Sequence, residues 1–125
     1  MVKDYFFHPN HVGVVDLTQP LSVHCRGIQK GQSVLVDLYL QCTQDKRIKR
    51  ACFRSSGNPY IIAALEYLCR LIEGVALDKL PSMNYQLLIR ELEIPTTQYP
   101  VAVHIEDIYK EILALMNKKF EEYMS

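Results

Sequence analysis

Apolar and polar positions change their period along this chain, and the change divides it into two kinds of element. Residues 34–41 carry a strong period of two: Val34, Val36, Leu38 and Leu40 fall on one face, with Asp37 and Gln41 on the other. That period of two predicts a strand. Residues 21–25 alternate in the same way, and residues 48–54 return with Ala51 and Phe53 directed inward. Turn chemistry at Gly27 to Gly31 and at Thr43-Gln44-Asp45-Lys46 separates the three segments, which predicts an antiparallel three-stranded meander.

After Ser55-Ser56-Gly57-Asn58-Pro59 the spacing lengthens to that of a helix, with Ile61, Leu65, Leu68, Cys69 and Ile72 on one stripe. Asn58 offers an N-cap amide, Pro59 suits the first helical position, and Gly74 is placed to end the helix. A second helix is predicted over residues 84–92, and an extended segment over residues 95–100. A last helix carries Ile105, Ile108, Tyr109, Ile112, Leu115, Met116 and Phe120, with Glu106 and Lys110 paired four apart. Residues 1–20, punctuated by Pro9, Gly13 and Pro20, are expected to be irregular. Strands followed by helices predict an α+β fold, a three-stranded antiparallel sheet with helices packed on one face.

At 125 residues the chain is the size of one domain, expected to span residues 1–125, and 49% apolar with 22% charged residues is a globular composition. Fourteen basic and fourteen acidic residues give a net charge of zero. That balance argues against nucleic acid or an acidic membrane as a partner held by bulk charge, and it leaves a homo-oligomer open. The longest apolar run, Tyr60 to Leu65, is far too short to cross a bilayer, and the first nine residues lack the apolar stretch of a signal peptide. A cytoplasmic location is expected. Cys25, Cys42, Cys52 and Cys69 form no C-x-x-C pair, and thiols packed as small hydrophobes are the expectation for all four.

Candidate chemistry is sparse. His24 and Cys25 are adjacent, but consecutive side chains on a strand point to opposite faces. His8 and His11 read as surface histidines in a loop, and Lys46-Arg47-Ile48-Lys49-Arg50 as a solvated basic rim that an acidic partner surface can use. No phosphate loop, nucleophile constellation or acid pair stands out. Neither an enzyme nor a cofactor is expected.

A set of anchors in constant register resembles the IscU family of iron–sulfur cluster scaffolds, which includes the amino-terminal domain of NifU. Pro9, Val12-Gly13 and Asp16 match its opening pattern, and Ala51, Phe53 and Gly57 match the run before its second ligand. Gly74, Leu77 and Asp78 match the end of its first long helix. Leu92-Glu93-Ile94-Pro95 matches its last loop, and Glu106-Asp107 its final helix. The resemblance runs without insertion from Val12 to Asp107 and implies the family fold. It also implies where the family's ligand-site residues fall: the first cysteine on Gln32, an aspartate on Val34, the second cysteine on Asn58, and a His-Cys pair on Pro100 and Val101. None of these side chains is a soft anionic donor. The family's chaperone-recognition segment falls on Ile94-Pro95-Thr96-Thr97-Gln98, where only the first proline is kept.

The expected function is a scaffold homologue that has lost cluster binding and acts as a protein-interaction module, adaptor or regulator. Protein partners are expected, among them iron–sulfur assembly machinery such as a cysteine desulfurase, with the surface around Gln32, Asn58 and Val101 as the place of contact. The alternative is an active iron–sulfur or metal assembly factor with relocated ligands drawn from the four cysteines and the histidines. A small hydrolase or transferase would require a concave cluster of perturbed groups.

Overall fold

The computed structural model describes residues 2–28, 35–56 and 58–124. Gln32 and Val34 lie outside the described residues. The elements run α1 (Val2–Phe7), β1 (Ser22–Ile28), β2 (Leu35–Cys42), β3 (Ile48–Ser55), α2 (Pro59–Ile72), α3 (Tyr85–Leu92) and α4 (Tyr99–Met124). Single 3-10 turns at Leu77–Lys79 and Thr96–Gln98 precede α3 and α4.

The sheet is the predicted meander, ordered β1-β2-β3 and antiparallel throughout. Val36, Leu38 and Leu40 point inward from β2 and are fully buried, opposite Ala51 and Phe53 of β3 and Val23 and Cys25 of β1. Between Gln41 and Cys42 the register of the β2–β3 pair shifts, so Cys42 pairs with Ile48 and Lys49 is bypassed. That bulge returns Ile48 to the inner face, where it is fully buried. Helices α2 and α4 cover this face. Ile61, Leu65, Leu68 and Ile72 of α2 and Ile105, Ile108, Ile112 and Met116 of α4 join the strand residues in one core. The opposite face carries an ion network: Asp37 accepts from His24 Nε2 at 2.7 Å and Arg26 Nε at 2.8 Å, and His24 stacks on Tyr39 at 4.6 Å.

Gly27 permits the close approach of α4. A Cβ at this position would lie 2.6 Å from Ile108 Cδ1 and 3.0 Å from His104 Cε1. Among the described residues, no helix is long and apolar enough to cross a membrane.

Two local expectations are corrected. The amino-terminal segment is not wholly irregular, because α1 forms and packs on α2: Tyr5 meets Tyr67 edge-on at 5.4 Å, and the Arg70 guanidinium sits over the Tyr5 ring. Tertiary contact, rather than local propensity, supports so short a helix. Residues 95–100 are not extended either. Thr96–Gln98 makes a 3-10 turn and α4 starts at Tyr99, so Pro100 sits in its first turn, where a missing N–H costs nothing.

Candidate functional site

Of the positions that the resemblance assigns to the family's ligand site, the described ones, Asn58, Pro100 and Val101, lie where α2 and α4 begin. Asn58 caps α2: its side-chain oxygen accepts from Tyr60 N at 2.8 Å. Its amide nitrogen donates to Gln98 Oε1 at 2.8 Å, which ties the start of α2 to the turn before α4. Pro100 is exposed, whereas Val101 is 1% exposed and belongs to the core. The expected contact surface around Gln32, Asn58 and Val101 therefore needs correction at Val101, which the amphipathic stripe of α4 turns inward.

One turn beyond Val101 lies His104. Its ring packs beside Gly27, and its Nε2 is buried with no hydrogen-bond partner among the described residues. Burial lowers its pKa, against a weaker opposing pull from Asp107, and so favours the neutral ring. Among the described residues, Asn58, Gln98, Pro100, Val101 and His104 bring amides, a pyrrolidine ring, an isopropyl group and a neutral imidazole to this end. Those groups do not match the thiolates that hold iron and bridging sulfide.

The four cysteines lie elsewhere and all are buried. Cys25 faces inward from β1, and burial beside the Glu111 carboxylate pushes its thiol up to about 12. Burial raises Cys42 to about 11 and also raises Cys69, which is fully buried in α2. Cys52 lies on the opposite sheet face from Phe53, with Arg50 Nη2 at 3.3 Å; burial raises its pKa, and the guanidinium only partly offsets that. Among the described residues, no three His, Cys, Asp or Glu side chains are grouped to hold a metal ion. His24 and Cys25 do point to opposite faces, since His24 bonds to Asp37 while Cys25 is in the core.

The sequence reading missed a buried ionic clasp. Glu66, 0% exposed on α2, accepts through Oε1 from the backbone N–H groups of Asn10 and His11 at 2.8 and 2.9 Å. Its Oε2 meets His11 Nδ1 at 2.6 Å and Arg70 Nε at 2.9 Å, and Arg70 extends to Asp4 Oδ2 and His8 O, each at 2.9 Å. His11 Nε2 lies 3.2 Å from Glu73 Oε1. His11 is thus not a loop histidine at the surface but a half-buried bridge between two carboxylates, while His8 is exposed as expected. The i, i+4 spacing of Glu66 and Arg70 indicates a helix-surface ion pair and carries no signal of burial under the amino-terminal segment. The basic rim is also partly used within the fold: Lys46 sits over Phe120, and Arg47 Nη1 donates to Gly74 O at 2.7 Å.

The sequence pattern of the NifU-like N terminal domain matches residues 1–122. The chain belongs to this family. A crystal structure of a nitrogen-fixing NifU-like protein (N-terminal) from Brucella abortus is similar in fold, with a TM-score of 0.57 at 15% identity over 96% of this chain and 84% of that one. No curated protein matches the chain. The family resemblance carried by the anchors from Val12 to Asp107 therefore stands, as does the α+β fold. Where α2 and α4 begin, Asn58 caps α2 and holds Gln98, and Val101 packs in the core.

Proposed function

We propose that this chain is a NifU-like domain whose cluster site has been converted into structure, and that it works through protein contacts as an adaptor or regulator. The observation that carries the proposal is the double engagement of Asn58. Its oxygen caps α2 and its nitrogen holds Gln98, so the position of the family's second cysteine serves the fold at both ends of its amide. Val101, in the core, and Pro100, in the first turn of α4, support the same reading. The buried cysteines add to it, because a cluster needs accessible thiolates and these thiols are held protonated. Neither a resident cofactor nor a catalytic role is part of this proposal. The partners would be proteins, with iron–sulfur assembly machinery such as a cysteine desulfurase among them.

The test is anaerobic purification from iron-supplemented cells, with iron, zinc and acid-labile sulfide counted per chain. Metal-free folded protein supports the proposal. Near-stoichiometric iron with sulfide, lost on Cys→Ala substitution, overturns it in favour of relocated ligands.

A further inference from the structure

The two edges of the sheet are finished differently. At β3 the outward groups are met: Phe53 N–H donates to His11 O at 2.9 Å, Gly13 N–H donates to Phe53 O at 2.9 Å, and Ala51 N–H donates to Glu73 Oε2 at 3.0 Å. At β1 they are not. Leu21 O accepts from Cys42 N at 2.9 Å, which sets the phase of the ladder, so Val23, Cys25 and Gly27 bond toward β2. The N–H and C=O groups of Ser22, His24 and Arg26 then point away from the sheet, and no hydrogen bond from another described residue reaches them. A bare edge of this kind is one that folds ordinarily mask.

An open groove of about 470 Å³ runs along this edge, between β1 and the carboxyl-terminal half of α4. Leu17 and Leu115 give it exposed apolar walls, and Lys118, Lys119 and Glu122 of α4 stand over it, two cations to one carboxylate, with no ion pair of either lysine within 4.0 Å among the described residues. Ser22 forms part of the same wall. It is 3% exposed, and its Oγ has no hydrogen-bond partner among the described residues. An orphaned hydroxyl, backbone groups that no described residue pairs and two lysines outnumbering one glutamate therefore meet along one groove.

Resting on the protein-interaction function above, we propose that the β1 edge takes an extended, acidic segment of a partner protein as a fourth strand. Main-chain bonds to Ser22, His24 and Arg26 supply the pairing, alternate apolar side chains fill the groove against Leu17 and Leu115, and carboxylates meet Lys118 and Lys119. A second copy of this chain fits less well, because its own β1 carries Arg26 and His24 rather than carboxylates.

The full chain is tested against immobilised nine-residue peptides of random sequence. Bound peptides are expected to alternate apolar and acidic residues, and the Lys118→Glu/Lys119→Glu double variant weakens binding at least tenfold. Arg26→Pro abolishes binding, since its N–H faces outward and the β1–β2 ladder survives the change, while Arg26→Ala retains it. Bound peptide also slows amide exchange at Ser22, His24 and Arg26. No bound peptide, or binding that survives both Arg26→Pro and the charge reversal, overturns the proposal. So does a dimer that Arg26→Pro disrupts without any peptide binding, which would place a second copy on the edge. Iron and sulfide content bears only on the cluster question, so failure of this groove and failure of the adaptor function are separate results.

Discussion

Asn58 and Gln98 are joined side chain to side chain at 2.8 Å, across forty positions of sequence, by a bond from the Asn58 amide nitrogen to the Gln98 oxygen. This bond ties the start of α2 to the 3-10 turn that precedes α4. With Asn58 Oδ1 on Tyr60 N, the amide serves both as helix cap and as clasp.

Asn58→Ala removes both roles and is expected to cost about 1–2 kcal/mol in urea unfolding. Asn58→Asp keeps the cap acceptor and loses only the donor to Gln98, so its loss is smaller and close to that of Gln98→Ala. Equal losses for the alanine and aspartate variants would show that the cap contributes nothing.

Val101 tests whether the last ligand-equivalent position is core. Val101→Ala is expected to cost about 2 kcal/mol through lost burial and the cavity left behind. Val101→Cys restores a family ligand type but places its thiol in the core. Alkylation of that thiol in the native protein should be no faster than at Cys69, and rapid labelling would contradict the packing described.

Glu66 anchors the amino-terminal segment. Glu66→Ala leaves the N–H groups of Asn10 and His11 without their acceptor and Arg70 without its buried partner, at an expected cost of about 3 kcal/mol. Loss of that segment also bares the β3 edge, so amide exchange at Phe53 should rise. Unchanged protection there would separate the clasp from the edge.

The buried thiols predict weakness toward alkali. Cys25 rises from 9.0 to about 12 and Cys42 from 9.0 to about 11, so above pH 9 the unfolded chain releases protons that the folded chain retains. Their contribution is complete below pH 9 and is lost as pH climbs through the folded values, each group adding up to about 1.4 kcal/mol per pH unit to the slope. Stability measured from pH 8 to 11 should fall, and less steeply in Cys25→Ala. A flat profile would contradict the burial of these groups.

Much of the fold was legible because period and caps agreed: the alternation of Val36, Leu38 and Leu40, and Asn58-Pro59 opening α2, are both local signals. The family register was legible too, since its anchors keep constant spacing. The α1 helix, the burial of His11 and Glu66 and the Lys49 bulge were not, because each depends on a contact between segments far apart in sequence. Pro100 misled for a different reason: a proline breaks a helix interior but suits its first turn, and the sequence does not say which turn it occupies. The groove beside β1 was equally hidden, as it forms only where α4 packs beside the sheet.

The most direct measurement is iron and acid-labile sulfide per chain on anaerobically purified protein. A converted site predicts folded protein with neither at a stoichiometric level, and four thiols that label only on unfolding. About one cluster's worth of iron and sulfide per chain or dimer, lost on Cys→Ala substitution, would contradict the account and make those cysteines the site.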